Sequence, residues 1–593
     1  MANSSAGTVA VKESPLPPPT GEDPLSPAQW TTLLAFADAV VPSIAPSATA
    51  KLSTQLAVDA NAYATTLAHV QQFAGPDVNA QLSADYLAEK PSECLAFRDS
   101  IRRLMAQYIP ADVRKQLLMV LTVLDTRAGA LVMTGYSTTF AEQPVDIRIA
   151  ILQNWATART PIFRQLNRLL TTLVKQNWAK TSTTLGRILG FPRIPVHRSV
   201  GKGFEFEFIQ IPPGDGPETI ETDVVIVGSG CGAGVCAKNF AEAGHRVIVV
   251  EKSHYWPPEH LPMKETEGYS HLFMNGGFVI SDESTVNVAA GQTFGGGGFV
   301  NWSASLQTQG YVRQEWADQG LPFFTSAEFQ RSLDTVCERM GVATDPIRHN
   351  PTNNHLLEVS FLGAAHKEQT NPWEGGILTA VVNELENIDG KGHGAKLEAV
   401  TMLPSVWLTL PPWTGGLEYK EFVPRMKHMV GYISLARDRD TGRVYPDLTD
   451  GRCRVSYPLS WFDKKHVLEG VIGLAKLQYV AGAKTGEEDL EGINNQKFQE
   501  WLKEIRRNGF PSPETMFLSA HQMGTCRMGA SPKTSVVDPE GKVWGTEGLY
   551  VADASVFPSA SGVNPMVTVM GIADWLSRNI SAHMAKEQEL ARL

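Results

Sequence analysis

The stretch "SAHQMGTCRM", residues 519–528, places His521 five residues before Cys526. A histidine side chain titrates at about pH 6.5, so it can take up or release a proton close to neutral pH. His521 could therefore transfer a proton, bind a metal ion together with Cys526, or be a buried histidine with a packing role alone. A metal site needs further ligands at metal-binding spacing, and the flanking sequence supplies none. We expect no metal site here, and we expect Cys526 to be a small buried residue.

A second stretch, "TDVVIVGSGCGAGVCAKNFAEAGHRVIVVEKS", predicts a strand, a glycine-rich turn, a helix and another strand. Its Val and Ile content makes Asp223–Val227 a buried strand, and Gly244 ends the helix. The turn fits G-x-G-x-x-G/A, the pattern that binds dinucleotides when it lies between a strand and a helix. The turn residues expected to contact such a cofactor are Gly228, Ser229, Gly230, Gly232, Ala233 and Gly234.

Each position of this turn has a separate physical task. Gly228 makes the tight turn, Gly230 lets the backbone approach a pyrophosphate, and Ala233 allows the helix to pack closely on the strand. The helix N-terminus offers free N–H groups to the phosphates. Glu251 follows the second strand, 23 residues after Gly228, where an acid accepts hydrogen bonds from ribose hydroxyls. The segment therefore predicts a dinucleotide site, although the turn alone does not separate NAD from FAD.

Another glycine-rich stretch, "NVAAGQTFGGGGFVNWSAS" at 287–305, contains four consecutive glycines, Gly295–Gly298. Backbone without side chains allows a second surface to come very close, as a large planar ring system would require. The candidate cofactor contacts in this loop are Gly295, Gly296, Gly297, Asn301 and Trp302.

The C-terminal block predicts a short strand in "GLYVADASVFPSA" that ends at Asp553, followed by a turn. Further on, "NPMVTVMGIADWLS" predicts a helix that starts at Asn564-Pro565, with proline at its first position. Such a helix start can direct its amides at an electron-rich cofactor edge. The candidate cofactor contacts in this block are Asp553, Pro565 and Met566.

The dinucleotide turn, the loop "GQTFGGGGFVNW" and the C-terminal block together resemble the glucose–methanol–choline (GMC) family of FAD oxidoreductases. The N-terminal region and "PWEGGILTAVVNE" resemble its long-chain (fatty) alcohol oxidase branch. The resemblance implies an α/β fold: a Rossmann-like FAD-binding domain, a mixed-sheet substrate domain, and an all-helical N-terminal region.

The resemblance also implies a mechanism and a catalytic pair. His521, in the H-x-x-G-T motif, would take the hydroxyl proton, and Asn564, 43 residues later, would hold the substrate oxygen. The flavin would accept hydride from a long-chain primary alcohol, and O2 would be reduced to hydrogen peroxide. The loop at 291–302 contains no histidine to tether FAD, so we expect non-covalent binding. The alternatives are a flavin dehydrogenase with a non-oxygen acceptor and an inactive variant that binds FAD poorly.

The chain departs from the family pattern in its middle. The family carries a further strand and a Gly-Ala-x-x-Ser/Thr-Pro turn that contact FAD, and the branch adds a Cys/Gly-rich stretch; none of these is found. Residues 350–358, "NPTNNHLLE", lead almost directly to "NPWEGGILTA" at 371–380. This spacing predicts an internal deletion near Glu358–Ala365, an FAD sheet that lacks a strand, and a shortened substrate domain.

The rest of the chain is assigned by pattern. Residues 25–42 predict an amphipathic helix with Ser26 as N-cap and Pro27 at its first position, and helical patterns continue to about 190. We expect this region to pack and shield rather than to carry chemistry. Residues 433–446, with Gly442 in the turn, predict a hairpin. The predicted organisation is a disordered tail (1–22), a helical region (23–200), FAD-binding segments (201–345 and 519–593) and a substrate domain (346–518).

Composition limits the partners. The net charge of −10 shows no basic footprint for nucleic acid. The six cysteines form no C-x-x-C pair, so a reducing compartment is expected. No uninterrupted run of apolar residues is long enough to predict a spanning helix, although a lipid-like substrate is compatible with membrane association. The oligomeric state is not predicted. Ala591-Arg592-Leu593 resembles a peroxisomal address, which would suit an enzyme that makes peroxide.

Overall fold

The structure is a computed structural model, and it describes residues 12–19, 21–75, 77–192, 203–211, 214, 217, 219–342, 381–429, 431–480, 484–485, 488–489, 495–512 and 515–592. The deletion predicted near Glu358–Ala365 therefore falls outside the described residues. Residues 12–19 belong to the predicted disordered tail, yet Ser14 is buried and its hydroxyl lies 2.8 Å from Nδ1 of His260. The prediction of disorder does not hold for this part of the tail, because it is held by the FAD-binding segment.

The first helix begins as its sequence predicts. Ser26 caps it, and Gln29 completes a capping box by accepting from the Ser26 N–H. The helices of the N-terminal region are α1 Pro27–Val40, α2 Ala60–Phe73, α3 Ala80–Ala88, α4 Leu95–Arg103, α5 Ala111–Leu124, α6 Arg127–Thr134, α7 Val145–Ala156, α8 Pro161–Thr181 and α9 Leu185–Leu189. The region is not wholly helical, because strands β1 (Ser43–Pro46) and β2 (Gln55–Val58) pair in parallel between α1 and α2.

The N-terminal helices share their hydrophobic core with residues 402–429, which the sequence assigns to the substrate domain. Trp413 donates to the carbonyl of Val40 at 3.0 Å. The buried amine of Lys420 donates to three backbone carbonyls at the end of α3, at 2.6–2.9 Å. Burial lowers the pKa of Lys420 to about 7. The helical region is therefore built into the body of the molecule and is not a detachable arm.

The dinucleotide segment forms β3 (Val224–Val227), α10 (Cys231–Glu242) and β4 (Val247–Val250), and the two strands pair in parallel. One face of this pair packs against α10 and the final helix, α19 (Met566–Arg592). The other face is open: Val225 is 58% and Val227 is 85% exposed. Parallel sheets are normally covered on both faces. Among the described residues, no element covers this face, and the expected loss of a strand stays a prediction.

The remaining strands form small sheets. In one of them β5 (Val279–Ile280) is antiparallel and β14 (Phe517–Ser519) is parallel to β6 (Val286–Val288). Another is antiparallel and consists of β7 (Val381–Val382), β8 (Ala395–Val400) and β9 (Gly431–Ala436). Short antiparallel pairs are formed by β10 (Arg443–Pro446) with β11 (Cys453–Ser456) and by β12 (Lys484–Thr485) with β13 (Glu488–Asp489).

The hairpin predicted at residues 433–446 is wrong. Strand β9 pairs with β8, and β10 turns back at residues 447–452 to pair with β11. The turn that forms is closed by the Asp447 N–H, which donates to the Arg452 carbonyl at 2.7 Å. Two strands do lie within 433–446, but they do not pair with each other across Gly442.

The other described helices are α11 Glu265–Leu272, α12 Gly297–Val300, α13 Gly310–Asp318, α14 Ala327–Met340, α15 Pro404–Trp407, α16 Gly416–Phe422, α17 Trp461–Val480 and α18 Asn495–Asn508. In the described part of the chain, no single helix is long and apolar enough to cross a membrane. Within the described ranges, α5 and α6 together are long and apolar enough, but the chain bends by 101° between them.

Candidate active site

The two glycine-rich segments meet at the N-terminus of α10. The N–H of Gly295 donates to Oγ of Ser229 at 2.9 Å. A Cβ on Gly296 would lie 3.1 Å from Cα of Gly230, and a Cβ on Gly298 would lie 2.6 Å from Sγ of Cys231. Gly228, Gly295 and Gly296 all have positive φ values, which glycine adopts without strain. The sequence predicted the two segments separately. In the structure they are in contact and form one surface, which we call the glycine floor (residues 228–234 and 295–298).

Glu251 lies where the sequence predicts, directly after β4. Its carboxylate accepts from the N–H and the hydroxyl of Ser229, at 2.9 and 2.6 Å, and from the N–H of Ser253 at 2.8 Å. Burial alone would raise the pKa of Glu251, but these hydrogen bonds outweigh it and hold the pKa below its usual value. An ionised carboxylate has about four acceptor positions, so it can still accept from a ribose hydroxyl.

The space in front of α10 fits a dinucleotide. A Cβ added to Gly230 or to Gly297 would meet nothing within 4 Å. Both glycines line the same large cavity. The 12-residue helix α10 also directs its free N–H groups there. The close packing expected at Ala233 is instead found at Gly232, where a Cβ would lie 1.9 Å from the Ala552 carbonyl oxygen. Ala233 lines the cavity beside them, and Gly234 is exposed on α10.

The cofactor contacts predicted in the C-terminal block, Asp553, Pro565 and Met566, line the same cavity as the glycine segments. Asp553 borders the cavity and caps a short 3-10 helix by accepting from the Ser555 N–H at 2.8 Å. The strand predicted to end at Asp553 is reduced to one bridge, at Tyr550. Helix α19 begins at Met566, directly after Pro565, whose carbonyl accepts from the Val569 N–H.

Asn301 connects the glycine loop to the start of α19. Its Nδ2 donates to the Gly298 carbonyl at 3.0 Å and approaches Sδ of Met566 at 2.8 Å. Its Oδ1 accepts from the Ser303 N–H at 2.8 Å. Trp302, the next residue, lines the cavity together with Pro565 and Met566. Three predicted contacts from two distant parts of the sequence therefore border one space.

His521 follows β14 and lines the cavity. Its chain segment is held by backbone hydrogen bonds from Gly524, Cys526 and Met528 to carbonyls of residues 554–556, at 2.8–3.1 Å. Burial lowers the pKa of His521 to about 4. The imidazole is therefore neutral at neutral pH and can accept a proton.

Asn564 lies in the loop before α19, and hydrogen bonds from Arg437 and to Glu315 hold residues 559–560 of that loop in place. Arg437, 4% exposed at the end of β9, donates to the Ala560 carbonyl at 2.7 Å and binds the Glu315 carboxylate at 2.9 Å. The Ser559 hydroxyl donates to the same carboxylate at 2.7 Å. Asn564 lines the cavity, and its Oδ1 is buried without a hydrogen-bond partner.

A single cavity of about 3360 Å³ contains the turn, the glycine loop, His521 and Asn564. Typical ligand pockets measure roughly 300–1,000 Å³. The cavity extends to the N-terminal helices, whose contribution is largely apolar: Leu104, Ile109, Leu117, Val120, Met133, Ile162, Leu166, Leu169 and Leu173. The helical region was expected only to pack and shield, but it forms one wall of the cavity.

Sequence analysis missed Glu398, which is fully buried and also lines the cavity. The signal available was weak. In "AKLEAV" two charged residues alternate with apolar ones along β8, a pattern that usually indicates a solvent-facing strand. The anchoring role of Arg437 was missed for the same reason, because "ARDRD" reads as a solvated turn.

Two expectations remain outside what the structure describes or tests. Within the described ranges, no group of three or more His, Cys, Asp or Glu side chains could hold a metal ion. The peroxisomal address stays a prediction, because Leu593 and the side chains of Ala591 and Arg592 lie outside the described part of the chain.

Family models match three parts of this chain. A model described as FAD binding domain matches residues 223–256, and two described as GMC oxidoreductase match residues 269–371 and 425–573. The matched ranges contain both glycine-rich segments, Glu398's neighbouring strand β9, His521 and Asn564.

Curated relatives give the same result over longer stretches. The chain is 27% identical to long-chain-alcohol oxidase FAO3 of Arabidopsis thaliana over 518 residues, covering 62% of this chain and 68% of that protein. It is 24% identical to FAO4B of the same plant over 681 residues, covering 82% and 90%. Since 82% of 593 residues is about 486 and the alignment is 681 positions long, FAO4B has segments without a counterpart here.

Solved structures also match. Pyridoxine 4-oxidase from Mesorbium loti covers 60% of this chain and 99% of its own, at 13% identity and a TM-score of 0.36. Formate oxidase from Aspergillus oryzae covers 62% and 99%, at 13% identity and a TM-score of 0.38.

The open space at Gly230 leads to a prediction about FAD content. A Cβ at Gly230 meets no protein atom within 4 Å, so we expect Gly230→Val to keep the fold while its side chain displaces FAD. Overpacking costs about 1–3 kcal/mol, so FAD affinity falls about tenfold or more. The ratio of flavin to protein absorbance after gel filtration, together with the melting temperature without FAD, measures both effects. Gly310→Ala, at another open position outside the cavity, is the control. Equal FAD content in both variants would contradict the assignment.

Proposed function

Because the chain belongs to the GMC oxidoreductase family and uses FAD, we propose that it oxidises a long-chain primary alcohol to the aldehyde and reduces O2 to hydrogen peroxide. The observation that carries the proposal is the continuous cavity that joins His521 and Asn564 to an apolar space under the N-terminal helices. The names of the Arabidopsis thaliana relatives support the same substrate and acceptor.

The residues of this chain would divide the chemistry between them. The glycine floor and Glu251 hold the cofactor, and FAD, when bound, supplies the hydride acceptor. His521 takes the proton from the substrate hydroxyl through its neutral imidazole. Asn564 donates from Nδ2 to the substrate oxygen as negative charge develops on it. The apolar wall receives the alkyl chain and excludes water from the reacting end.

The low pKa of His521 sets the acid limit of activity. Because burial lowers that pKa to about 4, the imidazole stays neutral, and competent as a base, at every pH above about 4. Protonation in the empty cavity is unfavourable because the charge would be desolvated. Negative charge that develops on the substrate oxygen would stabilise the imidazolium and offset that cost. The proton would therefore move from the hydroxyl to His521 as the alkoxide forms.

We propose that an exposed apolar patch on the N-terminal helices, here called the apolar mouth, lies against a lipid surface. Met119 on α5 and Ile162 on α8 line the cavity and are more than half exposed. Val132 on α6 is 81% exposed, and the next residue, Met133, lines the cavity. Exposed Lys115 and Arg127 lie on α5 and α6. Apolar side chains with basic neighbours are typical of helices that lie in a membrane interface.

Peroxide formation separates the oxidase from its alternatives. With primary alcohols of increasing length in air, we expect one peroxide per aldehyde. We also expect kcat/KM to rise about fourfold per added CH2, since each buried CH2 contributes about 0.8 kcal/mol. An oxygen electrode with a catalase control and an aldehyde assay measure these quantities. Flavin that is reduced by alcohol but reoxidised only by a quinone would identify a dehydrogenase. No dependence on chain length would exclude the apolar wall as the alkyl site.

Replacing the proposed base tests the catalytic pair. In His521→Ala the rate of flavin reduction by alcohol should fall about 10²- to 10⁴-fold, because the substitution removes the group proposed to take the hydroxyl proton. FAD content should not change. Stopped-flow absorbance without oxygen measures the rate. The matched control is His583→Ala, an exposed histidine on α19 outside the cavity. A rate in His521→Ala that equals that of the control would refute this role.

A negative charge introduced at the apolar mouth tests whether the mouth binds a lipid surface. Val132→Asp should weaken sedimentation with phosphatidylserine-containing vesicles about tenfold or more, while oxidation of a water-soluble alcohol is unchanged, because residue 132 is remote from the chemistry. Leu448→Asp, at a fully exposed leucine in the turn after β10, is the control. If neither variant differs from the unmodified chain, the mouth does not bind lipid.

A further inference from the structure

Glu398 is a fully buried carboxyl group that the mechanism above does not use. It lies in the middle of β8, paired with Val381 on β7 and with Ile433 on β9. Both of its carboxyl oxygens are buried without a hydrogen-bond partner. A buried carboxylate without partners is strongly unfavourable. The arrangement therefore favours a neutral carboxyl group, which carries an O–H donor.

The side of the sheet on which Glu398 lies is set by its neighbours. Leu397 and Ala395 contact the glycines of α17, Gly473 and Gly470. Because side chains alternate along a strand, Glu398 projects from the opposite side, into the cavity that contains His521 and Asn564. Helix α17, with its charged residues, lies behind the sheet.

The Asn564 side chain is close enough to Glu398 to lower the pKa of its carboxyl group, which is the effect of an amide Nδ2 directed at an ionised carboxylate. Oδ1 of the same amide is buried without a partner. Rotating the amide by half a turn about its last side-chain bond exchanges the two atoms and brings Oδ1 to face Glu398. Three unpartnered oxygens of two adjacent side chains would all be unsatisfied if Glu398 were ionised and Oδ1 faced it. One proton on Glu398, donated to Oδ1, satisfies both side chains.

We propose that Glu398 is a positioning residue, whose protonated carboxyl group donates to Oδ1 of Asn564 and thereby directs Nδ2 of that amide at the substrate oxygen. This role rests on the proposed function for what Asn564 does, whereas the contact between the two side chains does not. Ionised Glu398 accepts from Nδ2 instead. That contact turns the amide so that its oxygen faces the substrate oxygen and opposes the developing charge.

Burial, and not a neighbouring charge, keeps the proton on Glu398 up to about pH 7. Burial raises the pKa of Glu398 to about 7, and Asn564 and Lys396 lower it less than burial raises it. Lys396, on the same side of β8, is engaged by the Glu386 carboxylate. The paired residues on β7 and β9, Val381 and Ile433, carry no charge.

The raised pKa of Glu398 determines how the rate of flavin reduction and the stability of the fold depend on pH. An unperturbed Glu ionises near 4.5, and Glu398 keeps its proton until about pH 7. Flavin reduction should therefore be fast below about pH 7 and fall as pH rises through that value, by about tenfold per unit at the limit. Stability should fall between pH 4.5 and 7, because the unfolded chain releases this proton earlier. His521 acts at the other limit, near pH 4.

Two variants separate positioning from charge. Glu398→Gln keeps the shape and a permanent donor, so its rate of flavin reduction should match that of the unmodified enzyme at pH 6 and stay constant above pH 7. Glu398→Met keeps the size without a donor, so its rate should fall about 10- to 100-fold at every pH with little change in KM. Anaerobic stopped-flow absorbance of the FAD-loaded full chain, from pH 5 to 9, measures all three proteins.

A readout without turnover tests the contact itself. The infrared carbonyl band of a protonated carboxyl group should be present at pH 6, disappear with a midpoint near pH 7, and be absent in Glu398→Gln. In Asn564→Leu the band should shift, because the acceptor is lost.

Each outcome is decisive. Absence of the band at pH 6, an unshifted band in Asn564→Leu, equal inactivation by Gln and Met, or full activity of Met overturns the proposal. If no alcohol reduces the flavin of the unmodified enzyme while the band behaves as expected, the proposed function fails and the contact stands.

Discussion

The site depends on one constraint, which is that three distant chain segments approach each other at backbone distance in front of α10. The dinucleotide turn, the glycine loop and Ala552 before the short 3-10 helix all meet there. A single Cβ at Gly232 would collide with the Ala552 carbonyl, and one at Gly296 would press on Gly230. Only glycine permits such an approach, so these positions have a steric reason as well as a phosphate-binding one. The approach of Ala552 to Gly232 also positions His521 relative to the two glycine segments. Residues 554–556, just after Ala552, accept backbone hydrogen bonds from residues 524–528, which follow His521.

Within the cavity so formed, loss of water acts on two titratable groups in opposite ways. Burial lowers the pKa of His521 and raises that of Glu398. Below about pH 7 and above about pH 4 both groups are uncharged, His521 as a proton acceptor and Glu398 as a proton donor. These are the states that the proposed alcohol oxidation requires of both groups. In that mechanism, burial would also strengthen a hydrogen bond from Asn564 to a developing alkoxide.

Local patterns in the sequence predicted local structure well. Ser26 and Pro27 fixed the start of α1, and the turn at Gly228 with Glu251 predicted β3, α10 and β4 in order. Partners distant in sequence were not predicted. Residues 402–429 enter the core of the N-terminal helices through Trp413 and Lys420, which no local period indicates. Glu398 was missed because a charged residue in an alternating strand looks solvent-facing until the cavity beside it is known.

The open face of the β3–β4 pair is the most consequential departure from a complete FAD-binding sheet. Val225 and Val227 lie on that face, and both are more than half exposed. The cofactor contacts described here come from the turn, the glycine loop and the start of α19, and all of them are present in the chain. We therefore expect the shortened sheet to retain its cofactor.

The most direct test is the visible absorption spectrum of the purified full-length chain, before and after anaerobic addition of a long-chain primary alcohol. Flavin peaks at about one FAD per chain that bleach on addition are the predicted result, and they would show that the two-stranded sheet holds a working cofactor. A colourless protein that does not take up added FAD, or flavin peaks that no alcohol bleaches, would contradict the account.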